Sequence, residues 1–396
     1  MTKTQKIIDK YTKFVMPTYI RNMDTVFVKG NGVKIWDIEG KEYLDFFPGW
    51  AVSGLGHCHK KIVSAIRKQV DKLIHISNNY YNELQAELAE KILSYSFRGK
   101  LFFSNSGAEA NECAIKLARK YGCETNRYEI ITMEKSFHGR TIATLTATGQ
   151  DKVKAGFEPL LEGFKIVPFN NIDAIKGAIT DKTIAVMVEP IQGEGGINVA
   201  DKPYLKNLRK LCDERDMLLI FDEIQTGMGR TGKMFCYEHY DVQPDIMTLA
   251  KSLGGGVPIA ATVAAKKIQD ALTPGSHAST FGGSPLVCAA AFATFEAIEK
   301  ERLLDNTRTM GKYLKSKLET LAKDFSIITE IRGMGLMLGV ELSIDGTKIF
   351  EECFKRGLLI NCTQGNVLRI MPPLIVKKDD VDKAIGILKE ALKVGG

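Results

Sequence analysis

The feature that most constrains this chain is a repeated change of hydrophobic period through its middle. Short apolar runs at 101–103, 129–133, 165–169, 183–189, 217–223 and 245–251 alternate with stretches whose apolar residues recur at helical spacing. Runs this short and uninterrupted fit strands buried on both faces, which predicts an α/β fold with a mostly parallel sheet covered by helices. Helical spacing is plain at 60–74 (Ile62, Ile66, Val70, Leu73) and at 83–93 (Leu84, Leu88, Ile92). Beyond Leu286 the pattern changes to long helices over 286–299 and 312–323, an extended stretch over 327–342 and a closing helix after Lys378. Near the start, residues 34–45 alternate and turn at Gly40 as a hairpin does. At 396 residues the chain is long for one core. We expect a large domain over 59–289 and a smaller α+β domain built from 1–58 and 290–396.

Composition removes several classes of function. The 54 Lys and Arg are interleaved with 47 Asp and Glu, so the net charge of +7 forms no basic stripe of the kind nucleic acid requires. The eight cysteines are scattered without a C-x-x-C pair, which suits a reducing compartment. The first ten residues carry no apolar signal-like stretch, and no run of 18 apolar residues occurs anywhere, so the expectation is a cytoplasmic protein without a membrane span.

Chemistry collects where the apolar runs end, as it should in an open α/β sheet. Asp222 follows five apolar residues, Met217 to Phe221. A buried carboxylate needs a partner; an ion pair or helix cap would serve, and so would the protonated nitrogen of a bound heteroaromatic ring. Lys251 ends the next such run and precedes Gly254, Gly255 and Gly256. An amine in apolar surroundings has a lowered pKa and can attack an aldehyde, and the glycines would let the backbone crowd a ligand. The segment Ser104-Asn105-Ser106-Gly107-Ala108-Glu109 passes from a strand into a helix, offering either a plain N-cap or a phosphate cradle.

Two other motifs are set aside. Gly227-Met228-Gly229-Arg230-Thr231-Gly232-Lys233 nearly matches a nucleotide P-loop, but Met234 stands where a Mg²⁺-holding Ser or Thr is needed. A P-loop-like nucleotide-binding protein is the remote alternative. His57-Cys58-His59 has no second ligand pair at zinc spacing, so no metal site is expected.

Taken together, Phe221-Asp222-Glu223-Ile224-Gln225-Thr226-Gly227-Met228-Gly229-Arg230-Thr231-Gly232 and the lysine at 251 resemble the class III aminotransferases, fold-type I enzymes dependent on pyridoxal 5'-phosphate (PLP). The resemblance runs from about Thr18 to the end. It implies that Lys251 is the Schiff-base lysine and proton shuttle, and that Asp222 keeps the ring nitrogen protonated so that the ring is an electron sink. By the same resemblance Glu223, Ile224 and Gln225 lie at the cofactor, with Gln225 on its phenolic oxygen. Phe137 stacks on the ring, and Ser106, Gly107 and Ala108 hold the phosphate. Thr280 reaches that phosphate from the partner subunit, which implies a homodimer with shared sites.

Substrate residues follow in the same way. Arg140 matches the arginine that grips the α-carboxylate of an acylated ornithine, and Ser279 a neighbouring contact. Arg369 matches the arginine that forks onto the α-carboxylate of glutamate or 2-oxoglutarate, and Glu194 the carboxylate that covers it. Within the class the chain is most similar to the acetylornithine aminotransferases of arginine biosynthesis. Other ω-amine donors, namely succinylornithine, ornithine, 4-aminobutyrate and carrier-bound lysine, share the same catalytic residues, and an aminomutase would need no 2-oxoglutarate. Gly49 leaves room for an acyl group where ornithine δ-aminotransferases usually place Tyr. Trp50 and Leu84 depart from the family pattern.

Overall fold

A computed structural model describes residues 1–21 and 23–395. Its centre is a seven-stranded sheet whose strands we number in chain order: β1 (Gly99–Ser104), β2 (Glu129–Met133), β3 (Phe164–Val167), β4 (Thr183–Val188), β5 (Leu218–Asp222), β6 (Ile246–Leu249) and β7 (Ala260–Ala265). In space they run β1, β7, β6, β5, β4, β2, β3. The pairs from β6 through β5, β4 and β2 to β3 are parallel; β7 is antiparallel to both β6 and β1, so it alone is reversed in this sheet. Every residue of β4, β5 and β6 is buried, as uninterrupted apolar runs require. Six strands therefore deliver their carboxyl ends to one edge, and that edge carries the site.

The reversed strand was invisible to periodicity. Its sequence, Ala-Ala-Thr-Val-Ala-Ala, is poor in the branched and aromatic residues that signal a strand, and burial between β1 and β6 overrides that weak preference. Three other differences are local. The helix expected over 312–323 starts earlier, as Leu303–Asp324, because its polar first turns are still helical. The extended stretch over 327–342 is an antiparallel hairpin, Ile328–Met334 with Met337–Leu342, turning at Gly335 with φ +56°. An amphipathic helix, Lys3–Phe14, with Thr2 Oγ1 accepting from Gln5 N at its start, had no counterpart in the reading of the sequence.

The expected N-terminal hairpin is present. Strands Lys34–Asp37 and Glu42–Asp45 pair antiparallel, and Asp37 Oδ1 accepts the turn N–H groups of Glu39 and Lys41 at 3.0 and 2.9 Å. Leu358–Leu359, more than three hundred residues later, joins this sheet parallel to Glu42–Asp45. The remaining C-terminal strands form a separate four-stranded antiparallel sheet containing Val367–Ile370, which places Arg369.

Candidate active site

At the carboxyl edge of the sheet lies a cavity of about 410 Å³, lined among others by Gly107, Phe137, Glu189, Asp222, Gln225 and Lys251. Its construction starts at β5. Asp222, the last residue of that strand, is buried. Its Oδ2 accepts from Asn111 Nδ2 and from His138 Nδ1, each at 2.8 Å, and its Oδ1 accepts from Ile224 N at 3.1 Å. The contact requires the His138 tautomer with hydrogen on Nδ1. Asn111 is fixed in turn: its Nδ2 also donates to His138 O at 2.7 Å and its Oδ1 accepts from Thr248 Oγ1 at 2.8 Å. A carboxylate that sequence reasoning treated as needing one partner is thus held by three elements.

Lys251 follows β6 in the left-handed region, φ 45°, and lines the cavity. Burial is the largest influence on its amine and lowers its pKa below the ordinary lysine value; the negative charges of Glu194, Asp222 and Glu189 oppose that shift, and Arg369 adds to it. The glycines after it divide in purpose. A Cβ at Gly255 would stand 2.2 Å from Ile62 Cδ1 and one at Gly254 2.8 Å from Ile259 Cγ2, so these two serve packing, and Gly256 alone of the three lines the cavity.

The helix Gly107–Tyr121 begins at the cavity. Ser106 caps it, with Oγ accepting from Glu109 N, while Glu109 Oε2 takes the N–H groups of Asn105 at 2.6 Å and Ser106 at 3.0 Å. The N–H groups of Gly107 and Ala108 belong to the first turn, which a helix leaves unpaired, and both residues line the cavity. Gly107 cannot carry a side chain without moving Ile224, whose Cδ1 would lie 2.8 Å from its Cβ. Gln225 Oε1 is buried with no hydrogen-bond partner among the described residues, so this acceptor is open to a hydroxyl or N–H donor in the cavity.

Opposite stands the charge pair. Arg369 is 1% exposed; its Nη1 and Nη2 donate to Glu194 Oε1 and Oε2 at 2.6 and 3.0 Å, its Nε donates to Asn361 Oδ1 at 2.7 Å, and the guanidinium lies 4.7 Å from the Phe47 ring centroid. Glu194 lines the cavity, as does Arg140, whose guanidinium is 5.7 Å from the Phe137 ring. Burial pushes the Glu194 carboxyl up, but the adjacent Arg369 outweighs it and holds the group below the usual range.

One expectation needs correction for this chain. Glu223 does not line the cavity: its carboxylate turns the other way, accepting from Cys236 N, Tyr237 N and Thr226 Oγ1 at 2.6, 2.7 and 3.1 Å. Residues alternate sides on leaving a strand, so with Asp222 inward Glu223 faces outward. Ser279 and Thr280 lie outside the cavity of their own chain. They line a neighbouring hollow of about 340 Å³ that shares Asn105 with it, and Asn105 Nδ2 donates to Ser279 Oγ at 3.1 Å.

The motifs set aside earlier have structural employment. Arg230, in the glycine loop, is buried and donates to Leu336 O and Pro372 O at 3.0 and 2.5 Å, so the loop packs on the C-terminal segment. His57 pairs with Asp45 at 2.7 Å and His59 with Glu301 at 3.2 Å, and no metal-holding cluster occurs among the described residues. Residues that sequence reasoning missed are Asn111, His138, Thr248 and Glu189. The last stands directly after an apolar run, the same signal that drew attention to Asp222.

Comparison with known proteins decides the family, because the model for aminotransferase class-III matches residues 15–392. The chain belongs to the class III aminotransferases. This class III aminotransferase is 53% identical over 386 residues to the acetylornithine aminotransferase of Methanocaldococcus jannaschii, covering 97% of each chain. It is 54% identical over 384 residues to that of Caldanaerobacter subterraneus subsp. tengcongensis, covering 96% of this chain and 97% of the relative. Among solved structures, the ornithine aminotransferase of Toxoplasma gondii ME49 superposes with TM-score 0.95 at 32% identity, covering all of this chain and 96% of the other. The acetylornithine aminotransferase of Elizabethkingia anophelis superposes with TM-score 0.88 at 34% identity over the whole of both chains.

Proposed function

We propose that this class III aminotransferase uses PLP to move the terminal amine of N2-acetyl-L-ornithine to 2-oxoglutarate, giving N-acetyl-L-glutamate 5-semialdehyde and L-glutamate. The observation that carries the reading is the joint presence, in one cavity, of a lysine amine with a lowered pKa and a buried, triply hydrogen-bonded aspartate. The near full-length identity to two acetylornithine aminotransferases supports the choice of donor.

The residues present fit the cofactor. Lys251 would hold its aldehyde carbon, Asp222 its ring nitrogen, Gln225 its phenolic oxygen, and the N–H groups of Gly107 and Ala108 with Ser106 its phosphate; Phe137 would cover one face. When bound, PLP supplies an electrophilic carbon for the amine and a cationic ring that stabilises a carbanion beside it. The protein's contribution is orientation and proton handling. Asn111 and His138 fix the Asp222 carboxylate so that its negative charge stays aimed at one point. Lys251, with its pKa lowered by burial, gives up its proton more readily than an ordinary lysine and so can carry a proton to and from the substrate carbon. Arg140 would take the α-carboxylate of the donor. Arg369 would take that of 2-oxoglutarate once Glu194 swings aside, so the same cavity presents a different charge pattern to each substrate.

In this reading the enzyme is a homodimer, with Thr280 completing the phosphate site of the partner subunit and Ser279 close by. Their position in a hollow adjoining the cavity, beside Phe281 at 61% exposure, supports it. The chain divides into a small domain of 1–58 and 290–396 and a large domain of 59–289; the pairing of Leu358–Leu359 with Glu42–Asp45 supports this, and the helix Pro285–Lys300 crosses the second boundary. Free thiols at all eight cysteines support a cytoplasmic location. No helix among the described residues is long and apolar enough to cross a membrane.

The test is to incubate protein and PLP with acetylornithine, succinylornithine, ornithine, 4-aminobutyrate and lysine, each with 2-oxoglutarate, and to quantify glutamate. We expect the highest kcat/KM with acetylornithine and loss of turnover by at least a thousandfold in Lys251→Ala. A Lys251→Ala enzyme with undiminished turnover would overturn the mechanism, and a higher kcat/KM for another amine would overturn the donor.

A further inference from the structure

Glu189 directly follows β4, is 6% exposed and lines the cavity, yet the chemistry above gives it no task. Its two oxygens are spent on two different segments. Oε1 accepts from Phe137 N at 2.9 Å and Oε2 accepts from Gly193 N at 3.0 Å. Phe137 belongs to the segment after β2 that forms one wall of the cavity. Gly193 immediately precedes Glu194, the residue over Arg369.

The loop that carries Gly193 is pressed from other directions. A Cβ at Gly193 would lie 1.9 Å from Gln225 Oε1, and one at Gly195 would lie 2.6 Å from Lys135 O. With the backbone wedged in this way, the direction of the Gly193 amide sets where Glu194 stands. Glu189 is the group that holds that amide, and it holds the Phe137 amide with its other oxygen.

We propose that Glu189 is a positioning residue that ties the aromatic wall at Phe137 to the Glu194 gate, one carboxylate holding both segments in a single register. The inference rests on the proposed role of Glu194 opposite Arg369. Ionised, the carboxylate offers two acceptors of equal strength. Protonated, it offers one good acceptor and a donor, so one of the two buried N–H groups loses its partner. The titratable groups facing it are His138 from the segment after β2, Asp222 from β5 and Lys251 from the end of β6. Burial is the strongest influence and raises its pKa to about 7; Asp222 adds to that shift, while His138 and the two N–H groups work against it. The clamp therefore tightens as pH rises through about 7 and loosens below it.

The experiment is residue-resolved hydrogen exchange on the dimeric full-length protein without added cofactor, between pH 6 and 8, corrected for intrinsic exchange. In the wild type the amides of Phe137 and Gly193 should gain protection together, with one shared midpoint near pH 7. In Glu189→Gln the side-chain amide still accepts from one N–H but opposes the other. At least one of the two amides should then be protected tenfold less, with no step in pH. With PLP restored, Glu189→Gln should change the KM for 2-oxoglutarate at least fivefold while kcat changes less than threefold. Separate midpoints for the two amides, protection independent of pH in the wild type, or wild-type protection in Glu189→Gln would each overturn the proposal. If Glu189→Gln does not fold, the wild-type titration still decides. A protein that fails to make glutamate from 2-oxoglutarate would sink the proposed function without touching the exchange result.

Discussion

Replacing Glu194 by alanine leaves Arg369 as a buried cation without its carboxylate, and the size of the effect follows from the contacts that remain. Removing one partner of a buried ion pair costs about 3–5 kcal/mol. Here the Glu194 side chain keeps 22% of its exposure, so water can enter the vacated space. Asn361 Oδ1 and the Phe47 ring also stay with the guanidinium. These place the expected loss below that range, at about 2 kcal/mol. With an unfolding entropy of about 2.1 cal/mol/K per residue, a chain of 396 residues should lose about 2–3 °C in its thermal midpoint. Because the folded pKa of Glu194 is depressed, the pair's contribution is present above the ordinary glutamate range and disappears only as pH falls through the folded value, so the comparison belongs at pH 7. The variant should then recover more of its midpoint on adding 2-oxoglutarate than the wild type gains, since the ligand's carboxylate replaces the missing charge. For the same reason its KM for 2-oxoglutarate should fall about tenfold, an effect of about 1.4 kcal/mol, because no internal carboxylate has to be displaced. Differential scanning fluorimetry with and without 2-oxoglutarate, followed by steady-state kinetics, measures both. An unchanged midpoint with an unchanged or raised KM would refute the assignment of Glu194 as the cover of Arg369.

Two further outcomes follow. If Thr280 acts across the dimer, Lys251→Ala and Thr280→Ala subunits, each with little activity, should regain about a quarter of wild-type activity when unfolded and refolded together, since half the molecules become heterodimers with one intact site; no recovery despite heterodimer formation would place both residues in one subunit's site. Burial pushes the Glu223 carboxyl up to about 7 from 4.5, so its contribution to stability is full below about pH 4.5 and is lost as pH rises through 7, by up to about 3 kcal/mol. Glu223→Gln should therefore show a smaller fall in melting temperature between pH 6 and 8 than the wild type, and an equal fall would show that Glu223 does not ionise in that window.

Much of the site could be read from residue order because each strand announces its end. A buried strand is apolar until it leaves the sheet, so Asp222 and Lys251 stand out as polar residues placed directly after apolar runs, and the sheet's parallel order brings such ends to one edge. The helix at Gly107 is marked by Ser106 and Glu109 for an equally local reason, since a capping box spans four residues. Glu189 carried the same mark, and the rule applied evenly would have found it.

Contacts between distant segments left no such mark. Asn111 looks like an ordinary polar residue of an alanine-rich helix until Thr248 and Asp222 arrive beside it from other strands. Glu223 is adjacent to Asp222 in sequence and matches the same motif, yet it points away, because side-chain direction on leaving a strand depends on the pleat and on the loop that closes over it. The reversed strand β7 has no periodic signal, since its alanines are strand-forming only between the neighbours that bury them. Hydrophobic period and short-range hydrogen bonding depend on residues a few places apart and are written in the order of the chain. Which buried polar group faces which depends on the packing of elements over a hundred residues apart, and that exists only once the chain has folded.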